Sequence, residues 1–172
     1  MAAEQIDTGR LVLVPLRVDH APEMADVLAD PALYTFFAGA PPTAEVMRTR
    51  YAYLVAGSPD PAVSWCNWVV RLREADCLTG FAQAIVTRSV QGSTAVISLV
   101  TGRPWQGRGI GGEAALGMLG WLRGQGVDTV VADIHPDNRA SAGAAARTGF
   151  TCTGEVHDDK LRWQLHLSGS RR

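Results

Sequence analysis

Residues 96–112 (VISLVTGRPWQGRGIGG) constrain this chain more than any other stretch. An apolar, β-type run breaks at Thr101-Gly102 and passes through Arg103-Pro104-Trp105. It then enters a glycine-rich loop that opens straight into a helical pattern. Strand, glycine loop and helix N-terminus in that order make an anion site. The N–H groups at a helix start lack intrahelical acceptors, and the helix dipole favours negative charge there. Glycine lets the backbone approach a phosphate with no Cβ in the way.

Spacing sorts the phosphate sites this loop could form. Gly102 and Gly107 match the start of a nucleoside-triphosphate loop. Arg108 and Gly109 then stand where such a loop needs Lys and Ser/Thr, which argues against it. Gly107, Gly109 and Gly112 satisfy G-x-G-x-x-G, and Asp133 follows about 20 residues on, the spacing of a dinucleotide site. Against an NAD(P)-dependent oxidoreductase, the motif lies past the middle of the chain. Too little sequence follows it for a doubly wound sheet.

Gln106-Gly107-Arg108-Gly109-Ile110-Gly111 also reads as Q/R-x-x-G-x-G/A. Further on come His135-Pro136-Asp137-Asn138-Arg139-Ala140-Ser141 and a terminal Gly149-Phe150. With these two signatures in order, the chain resembles the GNAT-type acyl-CoA N-acetyltransferases. Its start, Thr8-Gly9-Arg10-Leu11-Val12-Leu13 followed by 19–30, resembles the subgroup of ribosomal-protein N-terminal acetyltransferases. The likeness covers residues 8–167. It implies an α/β fold with a mixed, mostly antiparallel sheet flanked by helices, whose central parallel pair is splayed at a bulge.

Periodicity gives the elements. Residues 10–16 alternate around Leu11 and Leu13 and predict an edge-type first strand ending near Pro15. Asp19 is placed to cap a helix to about Ala29, punctuated by Pro31. Residues 31–42 read as irregular and aromatic-rich, with Tyr34, Phe36 and Phe37. Thr43 opens a second helix carrying Val46, Met47, Tyr51 and Leu54, stopped near Gly57. Residues 65–73, 78–88 and 94–101 predict an antiparallel meander. Met118, Leu119 and Leu122 keep helical spacing over 112–123. Gly117 and Gly120 in that helix each cost about 1 kcal/mol relative to Ala, which implies close packing against the sheet. A strand at 127–134 then pairs in parallel through a right-handed crossover. Asn138 or Asp137 caps a helix through Thr148, with Gly149 just past its end. Residues 150–157 and 161–167 form a closing hairpin, and 168–172 fray.

Composition narrows the function classes. A chain of 172 residues suits one compact domain over 1–172, and a net charge of −1 gives no support to nucleic-acid binding. No apolar run approaches the roughly 20 residues of a membrane span, and the N-terminus lacks a signal-peptide pattern. Cys66, Cys77 and Cys152 are scattered and read as buried free thiols in a reducing cytoplasm. No His, Cys or carboxylate cluster has metal-ligand spacing.

The resemblance also implies a chemistry. Acetyl-CoA is the acyl donor, with no metal. The acceptor is an amine-bearing small molecule or protein N-terminus, and a homodimer is compatible. The pantetheine arm would pair with the backbone of Leu99, Val100 and Thr101. The pyrophosphate would sit on Gln106, Gly107, Arg108, Gly109, Gly111 and Gly112, with Arg103 or Arg108 adding charge. Asn138 would contact the pantetheine or serve as a plain helix cap. Relatives often protonate the departing thiolate with a Tyr where this chain has Ala145, which leaves Ser141 as the candidate catalytic hydroxyl. They often carry a Glu where this chain has Val96, so Asp133, His135, Glu155 and His157 stand as alternative bases. An α-amine, with a pKa of about 7.7–8, is less handicapped by a weak base than a lysine amine near 10.4. The two departures keep open a non-catalytic acyl-CoA-binding module.

Overall fold

The computed structural model describes residues 1–36 and 38–167. Phe37 of the aromatic segment and the expected frayed end at 168–172 lie outside the described residues. Eight strands form one sheet in the order β1-β2-β3-β4-β5-β6-β8-β7. They are β1 (Ile6–Asp7), β2 (Leu11–Pro15), β3 (Val63–Leu72), β4 (Cys77–Ser89), β5 (Gly92–Thr101), β6 (Thr129–Ile134), β7 (Thr151–His157) and β8 (Lys160–His166). Among the described residues only β5 and β6 pair in parallel. A mostly antiparallel sheet is not the doubly wound sheet a dinucleotide fold requires, so the oxidoreductase alternative falls on topology.

The helices are α1 (Ala21–Val27), α2 (Ala44–Ala56), α3 (Ile110–Gly124) and α4 (Arg139–Arg147). The sheet buries both faces. Leu11, Leu13, Trp68, Ala84, Ile97 and Val130 meet Met118 and Leu122 of α3 on one side. Val69 and Leu78 meet Met24, Met47 and Tyr51 of α1 and α2 on the other. Burial alternates along β5 from Ser93 to Ile97, so Val96 and Ser98 share the face away from α3. Thr43 caps α2 as its sequence position suggests, its side chain accepting from the Val46 N–H at 3.2 Å.

Four local expectations are corrected. β2 is not an edge strand, because Ile6–Asp7 pairs along its outer side. Asp19 does not cap α1. It lies inside a 3-10 turn (Val18–His20), and His20 Nδ1 accepts the Arg17 N–H at 3.1 Å, with Pro22 in the first turn of α1. The aromatic segment opens with a 3-10 turn (Pro31–Tyr34) rather than being irregular throughout, because Asp30 Oδ1 accepts the Ala32 N–H at 2.8 Å. Gly117 does pack closely, since a Cβ there would lie 2.8 Å from Thr8 Cγ2, but Gly120 faces open space.

Candidate active site

The parallel pairing of β5 and β6 covers only Thr94↔Thr129, Ala95↔Val130 and Val96↔Val131. Beyond Val96 the two strands part. β5 remains paired to β4 as far as Gly80↔Thr101, and β6 to β8 as far as Ile134↔Leu161. The register shifts of the sheet lie at Val70/Arg71 and Cys152/Val156, so the β4–β5 ladder runs unbroken beside the opening. Gly80 holds β5 to the β4 side. A Cβ there would fall 2.0 Å from the Val100 carbonyl oxygen, an approach only glycine permits. Gly102 N–H donates to the Thr79 carbonyl at 2.8 Å and secures the end of the ladder. The β6-facing edge of Leu99, Val100 and Thr101 is thus left without a strand partner among the described residues.

The chain leaves that edge through a 3-10 turn (Arg103–Trp105), and Gln106 Nε2 donates back to the Thr101 carbonyl at 2.9 Å. Gly109, at φ +75°, is the N-cap of α3, a left-handed conformation that a Cβ would strain. The first helical bond runs from the Glu113 N–H to the Gly109 carbonyl at 3.0 Å, so the N–H groups of Ile110, Gly111 and Gly112 have no helical acceptor. Gly107 and Gly112 border open space, and a Cβ at Gly111 would crowd Thr101 Oγ1 at 3.2 Å. A cluster of free N–H groups with open space before it can hold an anion. The Arg108 guanidinium sits over the Trp105 ring, 5.1 Å from its centre. Arg103 reaches Asp30 at 3.5 Å.

A clasp not expected from the sequence holds this loop. Glu113 Oε1 accepts from Thr8 Oγ1 at 2.6 Å and from the Arg10 N–H at 2.7 Å, while Oε2 accepts from Arg10 Nε at 2.7 Å. Arg10 Nη1 also donates to the Arg108 carbonyl at 2.9 Å. Burial by itself would raise the Glu113 carboxyl. The Thr8 hydroxyl and the Arg10 groups outweigh it and hold the pKa below the ordinary value. The paired Arg10 charge also offsets a carboxylate that would otherwise repel an anion at the helix start. Thr8 and Arg10 belong to the opening motif that the family resemblance had already singled out.

Across the opening, Asn138 caps α4, its Oδ1 accepting the Ser141 N–H at 3.1 Å, so the Asp137 alternative is set aside. Ser141 lies exposed in the first turn, and Ala145 is buried in the core. Of the four candidate bases the structure brings two together, with His157 Nδ1 3.9 Å from Asp133 Oδ2. Asp133 is engaged by Arg162, with Nε at 3.0 Å from Oδ1 and Nη2 at 3.2 Å from Oδ2. His135 Nδ1 accepts the Asp137 N–H at 3.2 Å, and its ring lies 5.4 Å from that of Phe36. Glu155 and His157 are exposed on β7.

Between α2 and strands β3 and β4 lies a cavity of about 30 Å³ whose lining includes Asn67 and Gln83. Gln83 Nε2 donates to Asn67 Oδ1 at 2.6 Å. The sequence signal for this pair was two amides within apolar strand patterns. Of the three thiols expected to be buried, Cys66 is core, and burial pushes it up to about 11, whereas Cys77 is half-buried and Cys152 exposed. No group of three or more His, Cys, Asp or Glu among the described residues could hold a metal ion. No helix among them is long and apolar enough to cross a membrane.

Residues 10–151 match the family model described as an acetyltransferase (GNAT) domain. Three similar solved structures illustrate the fold. A ribosomal-protein-S5-alanine acetyltransferase from Vibrio fischeri superposes with TM-score 0.81 at 16% identity, covering 98% of this chain and 100% of that one. A ribosomal L7/L12 alpha-N-protein acetyltransferase in complex with coenzyme A gives 0.80 at 17%, covering 95% and 98%. A microcin C7 self-immunity acetyltransferase in complex with acetyl-CoA and AMP gives 0.79 at 15%, covering 92% and 93%. No curated protein matches the chain by sequence.

Proposed function

The chain belongs to the GNAT acetyltransferase family, and from that premise we propose that it is a cytoplasmic acetyl-CoA-dependent N-acetyltransferase acting on a primary amine of a small molecule or a protein N-terminus. One observation carries the reading. The β5 edge that loses its parallel partner after Val96 leads directly into the free N–H groups at the start of α3. An extended pantetheine arm can complete the ladder along Leu99, Val100 and Thr101, as an added strand does. Its pyrophosphate then meets the loop from Gln106 through Gly107, Arg108, Gly109 and Gly111 to Gly112. Asn138 fixes the first turn of α4 beside the arm.

In this reading the main-chain N–H near Val100 polarises the thioester carbonyl. The amine nitrogen attacks the carbonyl carbon, the C–N bond forms and the C–S bond breaks. The Ser141 hydroxyl gives its proton to the leaving sulfur and recovers one from the amine directly or through water. The Asp133 carboxylate, already satisfied by Arg162, is a weak choice of base. A modest base suits an amine that is partly neutral at working pH. Three free cysteines support a reducing compartment.

The test pairs binding with turnover. Acetyl-CoA should raise the melting temperature saturably, whereas NADH and ATP should not. A panel of amines assayed for CoA release should then yield at least one acceptor. Stabilisation by NADH with none by acetyl-CoA would refute the reading. Tight acetyl-CoA binding with no acceptor in the panel would favour the non-catalytic module.

A further inference from the structure

The acceptor must approach the β5 edge from a side of the sheet that α3 does not cover, and the chemistry of that side is specific. Register sets Phe81 opposite Val100 and Gln83 opposite Ser98. Their side chains stand on the face that α1 and α2 cover, one strand in from the β5 edge where the acyl group would lie. Beside them opens the cavity between α2 and the sheet, lined by Leu16, Met47, Tyr51, Leu54 and Trp68 besides the Asn67–Gln83 pair and Arg50. Asn67 is only 8% exposed and lies between Cys66 and Trp68, both fully buried. The amide pair exchanges one hydrogen bond, which leaves other amide groups of the two residues able to bond a polar partner. Arg50 is the one charged residue of the lining among the described residues, which includes no Asp or Glu. It forms no ion pair among the described residues. A guanidinium without a carboxylate repels a polycation and matches a carboxylate in planar, bidentate fashion.

We propose that Arg50 with Asn67 and Gln83 forms the acceptor subsite, and that the acceptor is a small molecule bearing a carboxylate as well as its primary amine. This rests on the N-acetyltransferase reading. A cavity of this kind between α2 and the sheet has room for a small polar group. Arg50 binds that carboxylate through the reaction and takes no part in bond making.

The experiment compares glycylglycine and alanylglycine with their C-terminal amides, whose α-amines have nearly the same pKa, using the full chain and acetyl-CoA. Spermidine and a longer peptide ending in a carboxamide complete the set. We expect kcat/KM for each acid to exceed that for its amide at least tenfold. In Arg50→Gln the ratio should fall to about one, and Arg50→Lys should retain part of it. Preference for an amide, the polyamine or the longer peptide would overturn the proposal, as would an acid preference that survives Arg50→Gln. If no amine is acetylated, the N-acetyltransferase reading fails by itself. Thermal stabilisation by the acids then decides the subsite: saturable and lost in Arg50→Gln supports it, and none refutes it.

Discussion

Replacing Glu113 with Gln tests whether the clasp at the start of α3 holds the loop. The carboxylate accepts three hydrogen bonds at 2.6–2.7 Å from Thr8 and Arg10. Gln has nearly the same shape but must turn an NH₂ group toward one of these donors. Hydrogen bonds to a charged group contribute about 1.5–3 kcal/mol when buried, and an exposed ion pair only about 0.2–1 kcal/mol. The Arg10 side chain is 52% exposed and that of Glu113 21%, so the ionic part is discounted. The expected loss is about 1–2 kcal/mol, or about 2–8 °C in Tm for a chain of this size. The pH dependence has a definite sign. Folding lowers the Glu113 pKa, so its contribution is complete above the unfolded value of about 4.3 and disappears as pH falls through the folded one. Urea denaturation of both proteins at pH 7, 5.5, 4.5 and 4 should show a constant gap down to pH 5.5 and a narrowing one below about pH 4.3. No gap at pH 7, or one of the same size at pH 4, would refute the reasoning.

Three further substitutions probe the site. Gly109→Val forces a β-branched residue to φ +75° at the N-cap of α3, and acetyl-CoA affinity should fall at least tenfold with the fold retained; calorimetry on a variant with native circular dichroism checks this. Ser141→Ala should lower kcat about 10- to 100-fold while acetyl-CoA Kd stays within a few-fold, since the hydroxyl acts mainly in the transition state; wild-type turnover would remove Ser141 from the mechanism. Gly80→Ala places a Cβ 2.0 Å from the Val100 carbonyl oxygen; parting the strands should cost about 2–4 kcal/mol in urea denaturation and weaken acetyl-CoA binding, and a variant of native stability and affinity would show that the close approach is not needed.

The strand, glycine loop and helix start at 96–112 were legible because each depends on neighbours in the chain. A glycine at positive φ, unsatisfied N–H groups at a helix N-terminus and a break in an apolar run are local properties. The Asn138 cap was legible for the same reason, as its bond spans three residues. The Asp19 assignment failed within the same local range. A capping residue has competitors, and there the His20 ring took the Arg17 N–H while Pro22 fitted the first turn.

What sequence alone determined, then, is the order of the main helices and strands and the position of the glycine turn that opens α3. Tertiary structure decided which distant groups complete it. Glu113 meets Thr8 and Arg10 across more than a hundred residues, and Asp133 meets Arg162 across 29. Gly80 meets Val100, and Asn67 meets Gln83, only through strand register. A charge or an amide in a sequence carries no address for its partner. The pairing emerges when sheet register, fixed by burial of the apolar faces, sets strand against strand.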